Sequence, residues 1–209
     1  MPETRFWMIR HAVVEQNALT RIYGNNDVQL CPDHLREQVP MHAALARRLP
    51  PPGGQVVWLT SPLSRAQHTA AAIFAAGYPE QALVVEPGLI EMSFGEWQGL
   101  AHHELPARLT LPAHGFWPMG GEERPPGGES MADAIARVGV LMEHLADTYP
   151  DCDVIAVSHG GTIRAAVAHA LRIGADSALH LSVDNLSLTR LDRLDPGWRV
   201  VCLNELPGL

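Results

Sequence analysis

The chain has 209 residues, with 15 Lys+Arg against 23 Asp+Glu and a formal net charge of −8. All fifteen basic residues are arginine, which excludes chemistries built on a lysine: the Walker-type phosphate loop, the pyridoxal Schiff base and the kinase strand lysine. The acidic balance argues against a nucleic-acid or anionic-membrane surface, and 46% hydrophobic content is too high for a disordered chain.

In chain order, residues 6–9 form a short apolar run that reads as a buried strand. Residues 33–49 have helical composition, with Asp33 as cap and Pro40 expected to break or kink the helix. A turn at 50–54 leads to a second buried strand at 56–59. Ser61-Pro62 reads as a helix start, and the helix runs through Arg65 to Ala76 and stops at Gly77. Residues 83–85 are a third strand, and 101–109 a short helix. Residues 110–128 are rich in Gly and Pro and read as a long loop, a feature usually functional in a compact domain. Helical spacing of Ile135, Val138, Leu141, Met142 and Leu145 marks a helix over 129–149. Residues 154–157 form a fourth buried strand, and Gly160-Gly161 opens a helix over 162–171. Alternation over 186–191 and a strand at 199–203 read as a closing hairpin with a half-exposed or edge position.

Strands alternating with helices predict an α/β fold, a three-layer sandwich with a central, mostly parallel sheet and helices on both faces. The length favours a single domain over 1–209, with the loop-rich stretch at 100–128 as an insertion capping the site. No apolar run approaches a bilayer span, and residues 1–10 show no signal-peptide pattern, so a cytoplasmic protein is expected. Cys31, Cys152 and Cys202 are odd in number and far apart, which reads as reduced core thiols.

Ligands in such sheets bind beyond the carboxyl ends of the strands. The first strand runs into Arg10-His11, the second into Thr60-Ser61 with Arg65 a turn later, and the fourth into Ser158-His159-Gly160-Gly161. If the strands are neighbours, two histidines and two arginines meet at one rim. Two guanidiniums there fit an anion, and arginine binds phosphate with a planar fork. The Gly160-Gly161 helix start offers backbone amides to the same anion. A neutral imidazole in such a pocket can attack phosphorus directly.

These residues resemble the histidine phosphatase superfamily, which includes the cofactor-dependent phosphoglycerate mutases. Met8-Ile9-Arg10-His11-Ala12 with Asn17 is similar to its Arg-His-Gly signature, and Arg21, Gly24, Asp27 and Leu30 to the stretch after it. Ser61 to Ala66 with Thr69-Ala70, Leu89-Ile90-Glu91 with Phe94 to Gly99, and Pro126 to Ser130 with Arg137 resemble the middle blocks. Ser158-His159-Gly160-Gly161 resembles the last, and the blocks stand in family order. The resemblance implies a phosphoglycerate mutase-like fold and a phosphomonoester hydrolase acting on a small phosphorylated metabolite. It implies His11 as the nucleophile, Arg10 and Arg65 as the phosphoryl clamp, His159 as a donor to a phosphoryl oxygen, and Glu91 as proton donor. Asn17, Arg21, Gly24 and Gly160 are implied as phosphate- or substrate-binding. No cofactor and no metal are implied, and a homodimer is left open. Ala12 stands where the family carries Gly, which is tolerable only without a positive φ, and Val14 replaces a polar residue that could touch phosphate.

Mutases carry basic and tyrosyl residues after the catalytic Glu and a long basic insertion. Here Met92, Ser93 and Phe94 follow Glu91, and residues 101–128 hold only Arg108 and Arg124. The chain therefore looks like the phosphatase branch, with mutase-type transfer as the alternative. A serine esterase is a further rival, since Ala156-Val157-Ser158-His159-Gly160 approaches the G-x-S-x-G elbow with Asp176 and His180 downstream. A metal site at His102-His103-Glu104 lacks the second histidine at helical spacing, because Ala107 stands there. A non-catalytic phosphate-binding module is the last rival, disfavoured because every charged and imidazole group is retained. Trp117, Phe116 and Met119 either contact a leaving group or pack the loop down.

Overall fold

A computed structural model describes residues 3–53 and 55–208. Gly54, the last residue of the predicted turn, lies outside the described residues, as do residues 1, 2 and 209. Six strands form one sheet: β1 (Thr4–Arg10), β2 (Val56–Thr60), β3 (Leu83–Val85), β4 (Asp153–Ser158), β5 (Leu188–Leu194) and β6 (Gly197–Glu205). Their spatial order is β3-β2-β4-β1-β5-β6. The pairings β3–β2, β2–β4 and β4–β1 are parallel, and β1–β5 and β5–β6 are antiparallel. The expected hairpin is therefore present, with β5 inside the sheet and β6 at its edge.

The helices are α1 (Gln16–Leu19), α2 (Pro32–Glu37), α3 (Val39–Arg48), α4 (Ser64–Ala75), α5 (Met131–Thr148), α6 (Gly160–Leu171) and α7 (Ala175–Ala178). Side chains alternate across a strand, so each strand feeds two cores. Phe6 and Met8 of β1 join Val154 and Ala156 of β4 under α5 and α6. Trp7 and Ile9 join Ile155 and Val157 on the opposite face, with Leu45 of α3 and Ala66, Ala70 and Ile73 of α4. Central parallel strands buried on both faces read as unbroken apolar runs, which is why β1, β2 and β4 stand out in the sequence.

Pro40 acts as expected. The predicted long helix divides at Gln38, and Pro40 takes the first turn of α3, where a missing N–H costs nothing. Pro62 lies outside α4, which begins at Ser64, so that helix starts later than the Ser61-Pro62 signal. Ser61 Oγ instead accepts the Leu63 N–H within the turn. Helix α5 begins at a capping box, in which Ser130 and Asp133 satisfy each other's backbone N–H. The segment between β3 and α5 holds only short 3-10 turns, including His102–Arg108. Its Trp97, Leu105 and Met119 close on Ile22, from the chain after β1, to form a separate small core. No described helix is long and apolar enough to cross a membrane.

Candidate active site

Register assembles the site. Arg10 pairs with Ser158 across β1–β4, and Thr60 pairs with Val157 across β2–β4. The three parallel strands end level, so the residues that follow them meet. The rings of His11 and His159 lie 5.1 Å apart.

His11 is 2% exposed, and its Nδ1 lies 2.7 Å from the Ala12 carbonyl oxygen. A carbonyl only accepts, so Nδ1 carries the proton and Nε2 keeps the lone pair. Burial is the largest effect on this ring, followed by the charges of Arg65 and Arg10, and together they hold its pKa well below the usual histidine range. The ring is therefore neutral at pH 7. Asn185 Nδ2 donates to the His11 carbonyl at 2.7 Å and fixes the backbone below it. Thr69 Oγ1 accepts the Ala12 N–H at 3.0 Å and donates to the Arg65 carbonyl at 2.7 Å. Ala12 does not have a positive φ, so its methyl group is tolerated where a glycine was expected. Val14 is buried in the core and bridges to Leu30.

Arg65 is fully buried. Its terminal nitrogens donate to the Gly24 and Asn26 carbonyls, both at 2.7 Å, and its Nε donates to His159 Nδ1 at 3.3 Å. Each terminal nitrogen keeps a second N–H. Because His159 Nδ1 accepts, its Nε2 carries the proton, which is donated to Ser61 Oγ at 2.7 Å. His159 is thus already partnered on both sides, and donation to a phosphoryl oxygen requires it to release Ser61. Its pKa too is held well below the usual value, first by burial and then by the His11, Arg65 and Arg10 charges. Arg10 donates to the Val183 carbonyl, and its buried Nε has no partner among the described residues.

Glu91 stands where sequence reasoning left an open anion site. Its carboxylate accepts the Gly161 and Thr162 N–H groups at 3.1 and 3.2 Å, and also its neighbour Met92 N–H at 2.9 Å. The start of α6 is therefore occupied by Glu91 at Gly161 and Thr162. A Cβ on Gly161 would lie 2.5 Å from Glu91 Oε1, so any larger residue there must push the Glu91 carboxylate aside. The flanking chain is held by Arg137, which pairs with Glu129 at 2.6 Å and donates to the Gly88 carbonyl. Glu129 in turn accepts the Ser93 N–H.

A pocket of about 240 Å³ opens beside this cluster. Its lining includes Arg10, Arg21, Gly24, Glu91, Gly160 and Arg164, with Trp117 and Leu105 from the 100–128 segment. Arg21 is exposed at the mouth and donates to the Gly99 carbonyl. Asn17 departs from expectation: helix α1 leaves it exposed, lining an adjacent groove. Arg21, Ile22 and Tyr23 line both spaces and stand between them. Of the loop aromatics, Trp117 faces the pocket, while Phe116 is 72% exposed beside His180. Met119 packs the loop down.

Sequence reasoning passed over Arg164, Asn185, Thr69 as a brace, and Ser61 as the partner of His159. Only Arg164 had a usable signal, since it follows Gly160 at i+4 and so shares its helix face.

The rivals lose their geometry. Ser158 is fully buried and donates to the Leu89 carbonyl at 2.8 Å. Asp176 accepts the Gly121 N–H, and His180 packs edge-to-face against His114, so no esterase triad forms among the described residues. His102 lies 3.1 Å from the Leu19 carbonyl oxygen, and Glu104 caps the Ala101 N–H. Among the described residues, no three His, Cys, Asp or Glu side chains are grouped as metal ligands.

The chain spans about half the length (49%) of the first curated relatives it matches, including a bifunctional protein of Mycobacterium tuberculosis, 32% identical over 89% of this chain. It is 31% identical to a glucosyl-3-phosphoglycerate phosphatase of Mycolicibacterium vanbaalenii, over 83% of this chain and 76% of the relative. A 2,3-bisphosphoglycerate-dependent phosphoglycerate mutase of a Methylobacterium strain is also 31% identical, over 77% of each chain. The solved structure of a mycobacterial glucosyl-3-phosphoglycerate phosphatase superposes with a TM-score of 0.79 at 28% identity, covering 97% of this chain and 99% of that one. The family model for the histidine phosphatase superfamily (branch 1) matches residues 6–206. With that match over nearly the whole chain, and two histidines and two arginines meeting at the ends of parallel strands, the chain belongs to the histidine phosphatase superfamily.

Proposed function

We propose that the protein is a phosphomonoester hydrolase working through a phosphohistidine on a small phosphorylated metabolite. One observation carries the reading: His11 Nδ1 is pinned to a backbone carbonyl in a buried, doubly cationic setting, which leaves Nε2 as the ring's nucleophilic position. In this reading Glu91 enters the step as its carboxylic acid: Nε2 attacks phosphorus, the P–O bond to the leaving group breaks, and Glu91 gives that oxygen its proton and becomes the carboxylate. Water then attacks the phosphohistidine, Glu91 takes its proton, and inorganic phosphate leaves with His11 restored. Arg10 and Arg65 neutralise the equatorial oxygens, and positioning plus charge neutralisation supplies most of the rate. His159 and the Gly160 amide complete the cradle. Arg21 and Gly24 belong to its mouth.

The chain works in this reading as one catalytic unit, with 100–128 as its cap; Leu105 and Trp117 over the pocket support that role. All the named groups come from one chain, so a homodimer adds nothing the chemistry requires. The steps use no metal, and activity is expected to survive chelators. Three free cysteines fit a reducing, cytoplasmic setting. Mutase-type transfer draws support from the mutase relative, but Met92, Ser93 and Phe94 after Glu91 supply no cationic contacts. Release of inorganic phosphate from simple phosphomonoesters tests the reading. Stoichiometric release by the wild type is expected; exchange of phosphoryl groups between substrates without net release would favour the mutase.

A further inference from the structure

The backbone that carries His11 is held at each of its polar groups. The His11 N–H donates to the Ser158 carbonyl at 3.0 Å, and the Ala12 N–H to Thr69 Oγ1 at 3.0 Å. The two carbonyls share one donor: Asn185 Nδ2 lies 2.7 Å from the His11 oxygen and 3.3 Å from the Ala12 oxygen. The Ala12 oxygen is also the atom that accepts from His11 Nδ1 at 2.7 Å. A carbonyl oxygen has two lone pairs, so it can serve both donors at once. Both neighbours of the Asn185 amide are acceptors, so its nitrogen faces them, not its oxygen.

The turn that delivers Asn185 is strained. Residues 184–187 form it, with the Ser187 N–H donating to the Asp184 carbonyl at 3.0 Å. Leu186 is fully buried with φ at +59°, a left-handed conformation that a branched apolar residue adopts only where its surroundings force it. Here they do. The Leu186 N–H donates to the Arg10 carbonyl at 3.0 Å, and the Ser187 carbonyl accepts the Arg10 N–H at 3.2 Å. Asn204, near the end of β6, closes the outer side: it accepts the Asp184 N–H at 2.6 Å and donates to the Asp184 carboxylate at 2.8 Å. Fastened to Arg10 and Asn204, the turn sets the Asn185 amide against the two carbonyls beside His11.

We propose that Asn185 is a positioning residue that fixes the tautomer of His11. A neutral imidazole left to itself exchanges between two tautomers, and the Nε2–H form has no lone pair at Nε2 with which to attack phosphorus. By holding the Ala12 oxygen against Nδ1, Asn185 keeps the proton on Nδ1 and the lone pair on Nε2. It touches no reacting atom, and its effect passes through the two carbonyls. The inference deepens the phosphatase reading above and rests on it for the use of that lone pair, but the tautomer is read without substrate.

Proton–nitrogen NMR of isotope-labelled histidines at pH 8 distinguishes Nδ1–H from Nε2–H, and His11→Ala assigns the His11 signals. The wild type is expected to show His11 as Nδ1–H alone. In Asn185→Leu, which fills the space without a donor, the Nε2–H form is expected to reach about a tenth of His11 or more. There kcat for propyl phosphate falls by about tenfold with KM within about twofold, the scale of one lost hydrogen bond to a buried carbonyl. Asn185→Ala, which removes the donor without forcing a new side chain into the turn, gives the same pair of changes. Wild-type His11 in the Nε2–H form overturns the inference, and so does His11 still wholly Nδ1–H in a folded variant, even where kcat falls, since that pattern is a structural brace and nothing more. An Nε2–H form that appears with kcat unchanged overturns it too. A wild type that releases no phosphate, with the tautomer change present in the variants, overturns the phosphatase reading and upholds the positioning of His11.

Discussion

The inner cluster and the pocket outside it are built on different principles. Inside, His11, Arg65, His159 and Thr69 are buried, and each is tied to backbone or to another member of the cluster. Their positions follow from sheet register, which leaves little freedom. Outside, the walls come from a long segment packed on a separate small core, and Arg164 keeps open hydrogen-bonding capacity. On the proposed phosphatase reading, the rigid part is expected to set rate and the looser part the choice of substrate. Changes inside should act on rate for every substrate, and changes outside should act on the ratio between substrates.

The largest break is His11→Ala. It is expected to lower kcat by about 10⁴-fold or more with any phosphomonoester, the scale for losing a nucleophile. Next is Gly161→Ala, whose methyl displaces Glu91 from the start of α6. Steady-state kinetics should show kcat down by about 10²-fold, the lower end for losing a positioned proton donor. Gly174→Ala is its control, because nothing lies within 4 Å of the added methyl.

Stability should carry the imprint of the buried imidazoles. The folded pKa of His11 and of His159 lies well below 6.5, so the unfolded chain takes up protons first as pH falls. Their contribution is complete above pH 6.5 and is lost as pH drops below it toward the folded values. Buried His42 adds the same sign. Denaturant midpoints at pH 7.5 and 5.5 are expected to fall in that order, with a smaller fall in His159→Gln. An unchanged midpoint contradicts the neutral assignment.

Thr69→Val separates support from chemistry. It leaves the buried Ala12 N–H without its acceptor, which should cost about 1–3 kcal/mol and be read as a lower Tm. The smallest expected effect on activity comes from Ser158→Ala. Its hydroxyl only holds the Leu89 carbonyl, so kcat/KM should stay within about threefold while stability drops by about 1 kcal/mol. Loss of activity there, with His11 intact, would revive the serine nucleophile.

The same contrast explains what could be read from the sequence. Apolar runs ending in Arg10-His11, Thr60-Ser61 and Ser158-His159 announce central strands and the residues they deliver, because a sheet buried on both faces leaves a plain pattern. The break at Gln38 followed from Pro40 alone. Contacts made by chain folding back were not legible. Glu91 reaches the start of α6 from a loop seventy residues earlier, so the amides that looked free are taken. Asn17 looked like a ligand by position, but α1 turns it into the neighbouring groove. Arg164 was passed over because the Trp117 ring that covers it comes from a distant loop.

The central claim is that Nε2 of His11 takes the phosphoryl group. The direct measurement is phosphorus NMR of the protein quenched during turnover of a phosphomonoester and held at alkaline pH. The account predicts an acid-labile phosphohistidine at Nε2 of His11, absent from His11→Ala, because Nδ1 is committed to the Ala12 carbonyl. An Nδ1 adduct, or the same signal in His11→Ala, would contradict it.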